Sequence, residues 1–84
     1  MYYTYVLQSM IDMNFYTGST KNLKLRFEKH KKGHVDSTKD RRPVKLIYYE
    51  ACLDENDARK REKYFKTYHG KMYLKRRLKS YLTG

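Results

Sequence analysis

Acidic residues are scarce in this chain, with nine Asp and Glu against twenty Lys and Arg in 84 residues, a formal net charge of +11. That imbalance points to a polyanionic partner, nucleic acid first, because basic side chains gain free energy by releasing its counterions. Tryptophan is absent, and there are only one cysteine, one proline and four glycines. A solitary Cys52 cannot close an internal disulfide, so a disulfide-stapled scaffold is excluded and a reducing, cytoplasmic setting is the expectation. Cys52 lies in an apolar run and reads as a small core residue rather than a nucleophile. So little proline and glycine leaves no linker or low-complexity segment. Long apolar runs are missing as well: nothing approaches the roughly 18 residues of a membrane span, and no signal-peptide core is visible, so a membrane is not the expected partner. No zinc-ligand set, phosphate-binding glycine loop, serine triad or helix-turn-helix pattern is present.

What the chain does have is tyrosine. The mean hydropathy of -1.03 would suit a disordered chain, yet ten tyrosines and 15% aromatics supply enough ring surface for a small core. The length suits one domain, 1–84, able to bury roughly 60–65% of the surface its unfolded chain exposes. Tyr2 to Gln8 and Asn14 to Thr17 are rich in aromatic and β-branched residues, and the turn formers between them predict a β-hairpin. Leu23, Arg26, Phe27 and His30 recur with helical period between Asn22, a fitting N-cap, and Gly33, a fitting stop. Lys31 to Arg42 is polar and reads as a loop. Val44 to Tyr49 is nearly continuous in apolar character, predicting a strand well covered in the sheet. Asp54 or Asn56 can cap a second helix, with Glu55 and Asp57 favourable in its first turn. Gly70 can end that helix, and Met72 to Leu82 predicts a third with Leu74, Leu78, Tyr81 and Leu82 on its apolar side. The fold expected is α+β, a small three-stranded antiparallel sheet flanked by helices in the order β-β-α-β-α-α.

Several residues fit chemistry on a phosphodiester. Hydrolysis requires deprotonation of water, neutralisation of the phosphoryl oxygens and stabilisation of the leaving oxygen. Arg26 offers a planar fork of donors for phosphate, or is one solvated charge among many. His30, one helical turn away, can hydrogen-bond a phosphate or water, or pack its ring at the helix edge. Glu62 shares a face with Ala58 and Phe65, placing a carboxylate inside an apolar stripe. It can hold a Mg²⁺ that keeps most of its waters, or pair with Arg59 or Lys66. Tyr5 and Tyr16 end and begin strand-like runs and can serve as phenolic acid-base groups or as core rings. An ordinary phenol titrates near about 10, so a tyrosine base needs neighbouring positive charge.

The spacing of these residues resembles a known family. Eleven positions separate Tyr5 from Tyr16, ten separate Tyr16 from Arg26, and four separate Arg26 from His30. Nucleases of the GIY-YIG superfamily carry a tyrosine at the end of one motif, a second opening the next, then an arginine and often a histidine on the following helix. A later helix supplies a metal-binding glutamate, and Glu62 stands at the matching position. Here the motifs read Tyr3-Thr4-Tyr5 and Tyr16-Thr17-Gly18, and no asparagine follows Glu62. The likeness covers nearly the whole chain and is similar to small stand-alone bacterial proteins related to the nuclease module of excision repair. It implies a Mg²⁺-dependent (or Mn²⁺-dependent) endonuclease acting on DNA ahead of RNA, structure-selective in repair or recombination. In that scheme Tyr16 is the base, Tyr5 assists, Arg26 holds the phosphate, His30 supports and Glu62 binds the metal. The alternative is a non-catalytic nucleic-acid-binding module on the same scaffold, and a third reading is a subunit that recruits another nuclease.

Overall fold

The computed structural model describes residues 1–84. Strands β1 (Tyr2–Ser9) and β2 (Phe15–Thr20) form the expected hairpin, and β3 (Val44–Cys52) pairs antiparallel with the other side of β1. The sheet order is therefore β2-β1-β3. Helix α1 is Leu23–Lys31, and a 3-10 turn at Lys39–Arg41 interrupts the loop that follows. Helices α2 (Glu55–Phe65), α3 (Tyr68–Arg77) and α4 (Lys79–Thr83) complete the chain. The predicted α+β order is present, with the last helix in two pieces.

Alternation along β1 builds two half-cores. Tyr5 and Leu7 face α1 and pack with Val44, Leu23 and Phe27, whereas Val6 faces the other way, against Phe65 and Leu74. β1 is thus covered on both faces, and β3 lies at an edge with Tyr49 54% exposed. The prediction of a well-covered β3 fails because its apolar continuity has another cause. A β-bulge shifts the register, so Val6 opposes Tyr48 while Leu7 opposes Leu46, and both Ile47 and Tyr48 join the Val6 half-core. Cys52, expected in the core, is only half-buried at the end of this edge strand, its Sγ 3.3 Å from the Asp54 carbonyl.

The caps follow the sequence. Asn22 accepts from the Leu25 amide at 3.0 Å, and Asp54 rather than Asn56 caps α2 by accepting from the amides of Asn56 and Asp57. Gly33 leaves α1 at φ 79, as a helix stop in the left-handed region. Gly70 behaves differently from its prediction. α2 ends at Phe65, Thr67 caps α3 by accepting from the Gly70 amide at 3.1 Å, and Gly70 is buried inside α3. A Cβ there would lie 1.8 Å from the Tyr64 carbonyl oxygen, so the glycine permits close approach of two helices instead of ending one. An ion pair joins β3 to α2, with Arg61 Nε 2.5 Å from Glu50 Oε1 and its guanidinium over the Phe65 ring at 4.7 Å.

Candidate active site

β2 has no strand on its outer side, and there a cavity of about 220 Å³ opens, lined by Tyr5, Tyr16, Gly18, Arg26, His30 and Glu62 together with Ser19 and Lys66. All five residues singled out in the sequence reach it. They arrive from both sides of the sheet, because Tyr5 and Tyr16 belong to the α1 half-core while Glu62 stands on α2. Gly18 makes this convergence feasible. It pairs with Tyr5 across the strands, and a Cβ at Gly18 would fall 2.4 Å from the Tyr5 hydroxyl. A glycine here leaves the strand edge open so that one hollow can wrap around it.

The Tyr5 hydroxyl is the polar centre of the cavity. Arg26 Nε donates to it at 3.2 Å, and His30 Nε2 lies 2.9 Å away. Arg26 makes no other side-chain hydrogen bond in the protein, which leaves the rest of its guanidinium donors free. Burial raises the Tyr5 pKa above that of an ordinary phenol, while the neighbouring Arg26 opposes the shift. His30 is 4% exposed, its ring set edge-on against that of Tyr5 and its Nδ1 paired with Thr38 Oγ1 at 2.7 Å. Burial, aided by the Arg26 charge, lowers its pKa to about 4, so the ring is neutral at physiological pH. One ring nitrogen then donates and the other accepts.

Tyr16 has different neighbours. Its hydroxyl donates to Asp12 Oδ2 at 2.9 Å, and Asp12 is in turn 3.5 Å from Arg41 Nε. Burial and then the Asp12 carboxylate push the Tyr16 pKa up. The cation beside Tyr16 is Arg41, whereas Arg26 hydrogen-bonds to Tyr5. Asp12 stays ionised, its pKa lowered chiefly by the Asn14 amide.

Glu62 accepts from Ser19 Oγ at 2.6 Å through Oε1 and from Lys66 Nζ at 3.0 Å through Oε2. Burial alone would raise its pKa, but the hydrogen bonds from Ser19 and Lys66 outweigh it and the net shift is downward. No group of three or more His, Cys, Asp or Glu side chains is placed to enclose a metal. Glu62 is the one carboxylate that lines the cavity, and a lone carboxylate is a donor of the kind that hard divalent ions take. Of the two readings of Glu62, the ion pair with Lys66 is present, and the same carboxylate lines the cavity.

Sequence reasoning missed three partners. Asp12 reads only as a turn former, and Thr38 sits in a stretch that looks like solvated loop although it is fully buried. Ser19 is signalled only by following Gly18, since alternation then turns it toward α2.

The sequence pattern of the GIY-YIG catalytic domain matches residues 1–78. Among similar proteins, a UPF0213 protein of Pediococcus acidilactici is 40% identical over 77 residues, covering 88% of this chain and 78% of that protein. A UPF0213 protein of Pediococcus pentosaceus is 46% identical over 66 residues, 77% of this chain and 68% of its own length. Another from Clostridium perfringens is 40% identical over 67 residues, with coverage of 79% and 71%. No solved structure matches. With its two tyrosines, Gly18, Arg26, His30 and Glu62 gathered at one strand edge, this chain belongs to the GIY-YIG catalytic-domain family.

Proposed function

We propose that this domain is a Mg²⁺- or Mn²⁺-dependent endonuclease that hydrolyses DNA phosphodiester bonds. The observation that carries the reading is the convergence, in one cavity, of free Arg26 donors, the Tyr5 hydroxyl and the ionised Glu62. Arg26 binds non-bridging phosphate oxygens with the fork left open by its single bond to Tyr5. Glu62 would hold the ion, which would compete with Lys66 for its carboxylate. When bound, the ion supplies neutralisation of charge on the phosphoryl and leaving oxygens.

The base role moves from Tyr16 to Tyr5. Tyr5 Oη accepts a proton from the attacking water as its own proton passes to His30 Nε2, with His30 Nδ1–H held by Thr38. No free phenolate is required in this relay. Phosphate binding offsets the Arg26 charge that depresses His30, so the imidazole becomes a better acceptor when substrate is present. Tyr16, anchored on Asp12, shapes the wall against which the substrate lies. Phosphate contacts carry no base information, which suits a substrate chosen by backbone structure in repair or recombination.

One observation favours a second reading, a binding module without catalysis: Ser19 and Lys66 already occupy both Glu62 oxygens. Cleavage of single-stranded, duplex, flap and junction DNA, with and without Mg²⁺, separates the two. The nuclease reading expects Mg²⁺-dependent cleavage that collapses in Glu62→Gln while DNA affinity is nearly unchanged. DNA binding with no cleavage of any substrate in either metal would establish the binding module.

A further inference from the structure

The cavity continues beyond Lys66. A hollow of about 190 Å³ shares Tyr16, Thr17 and Lys66 with it and adds Phe15 and Lys71. A third, of about 410 Å³, shares Phe15, Tyr16 and Lys71 with the second and adds Met13 and Lys75. Their shared walls make one groove along the free edge of β2, from Glu62 to the hairpin tip. The distance from Gly18 back to Phe15 along the strand is roughly 10 Å, the reach of one or two nucleotides.

The two walls at the far end differ in chemistry. Lys71 and Lys75 stand one turn apart on α3, and neither forms an ion pair, unlike Lys66 with Glu62. Facing them are the half-buried Phe15 and Met13, which is 56% exposed. Met13 has φ 61, a left-handed conformation that a glycine would adopt without strain. The hairpin holds it there: its amide donates to the Ser9 carbonyl at 2.9 Å, and its carbonyl accepts from Gln8 Nε2 at 3.2 Å. Such strain persists only where its surroundings enforce it, and it clusters at ligand clamps. At the other end of the cavity, Arg59 is paired with Glu55 at 2.6 Å, whereas Lys21 forms no ion pair.

We infer that the hollow between the hairpin tip and α3 is a nucleotide subsite that takes one unpaired nucleotide flanking the scissile phosphate. Its base packs on Phe15 and Met13, and its phosphate meets Lys71 and Lys75. The volume suits one small-molecule-sized group. Aromatic and apolar walls beside lysines are the means by which proteins hold single strands without reading sequence. This inference rests on the reading of the cavity as a phosphodiester site, and it names the substrate feature that site takes.

The test measures binding in EDTA, so it does not depend on cleavage. Fluorescence anisotropy compares a labelled twelve-residue oligothymidine, an abasic strand of the same length and a blunt duplex. Wild type should prefer oligothymidine over the abasic strand by about 5- to 150-fold, the range of one stacked base. Lys71→Gln/Lys75→Gln should weaken single-strand binding more than Lys29→Gln/Lys32→Gln, which removes the same charge from exposed positions at the C-terminal end of α1, outside the groove. Met13→Gly should shrink the preference for thymidine over the abasic strand, leave duplex binding unchanged, and keep or raise the melting temperature because the left-handed strain is relieved. Equal wild-type affinity for thymidine and abasic strands would overturn the subsite. So would an α1 control as damaging as the groove pair, or a Met13→Gly protein that keeps the full preference. A wild type that shows the preference yet cleaves nothing with Mg²⁺ would sustain the subsite and remove only the nuclease reading.

Discussion

Tyr5 and Tyr16 line the same cavity, and what separates them is the partner of each hydroxyl. Tyr5 is bonded to Arg26 and His30, whereas Tyr16 donates a hydrogen bond to Asp12. The spacing of phenols, guanidinium, imidazole and carboxylate was legible in the sequence, because short separations within a hairpin and one helix constrain where those side chains can go. The pairing was not, since Asp12, Thr38 and Ser19 meet their partners through turn geometry, a buried loop residue and strand alternation. Phenylalanine scanning of the two tyrosines separates their roles. Tyr5→Phe should lower the cleavage rate by about 10²–10⁴, the usual worth of a general base, while Tyr16→Phe should lose less than about ten-fold and roughly 1 kcal/mol of stability with its hydrogen bond. Gly18→Ala should mimic Tyr5→Phe, because its methyl displaces the Tyr5 hydroxyl from Arg26 and His30. Single-turnover rates and denaturation midpoints on the three variants read this out, and a Tyr16→Phe enzyme slower than Tyr5→Phe would return the base to Tyr16.

Caps and periods made the helices readable, because Asn22 and Asp54 act on amides only two or three residues away. What failed was the junction of α2 with α3 and the centre of the sheet, where the deciding contact is distant in sequence or hidden by ambiguous residues. Gly70 has the composition of a stop, yet its backbone lies against the Tyr64 carbonyl in the interior of the next helix. The apolar run of β3 suggested a central strand, but the bulge turned that run onto one half-core at an edge. Gly70→Ala sets two effects against each other. Helix propensity favours alanine by about 1 kcal/mol, and a Cβ against a backbone carbonyl costs about 3 kcal/mol of overpacking because backbone must move. The second wins, so denaturant titration should show a loss of about 2 kcal/mol, whereas an alanine as stable as wild type would mean that α2 and α3 are not packed so closely.

On the scale of the whole molecule, one buried imidazole ties three parts of the chain together: β1 through Tyr5, α1 through its own position, and the 31–42 loop through Thr38. That junction makes stability depend on pH with a definite sign. In the unfolded chain His30 takes up a proton near about pH 6.5, but the fold refuses it until about pH 4. Between those values the unfolded state binds more protons, so stability is fully present above the upper value and falls as pH drops through the window. The loss by the lower end is of order 3 kcal/mol, a large share of what holds a domain of this size. Glu62 and Asp12, whose pKa values are lowered in the fold, contribute acid losses as pH falls through the ordinary carboxylate values and below. The region from pH 6.5 to 5 therefore reports mainly on histidine, and His34 and His69 are both exposed. Denaturant midpoints measured across pH 7.5 to 4 should decline in wild type through that region. His30→Gln, which can bond both Tyr5 and Thr38 but cannot titrate, should start from a lower midpoint and decline less steeply. If the two proteins lose stability in parallel from pH 6.5 to 5, the fold does not resist protonation of His30, and the ring is not shielded as its place between Tyr5 and Thr38 requires.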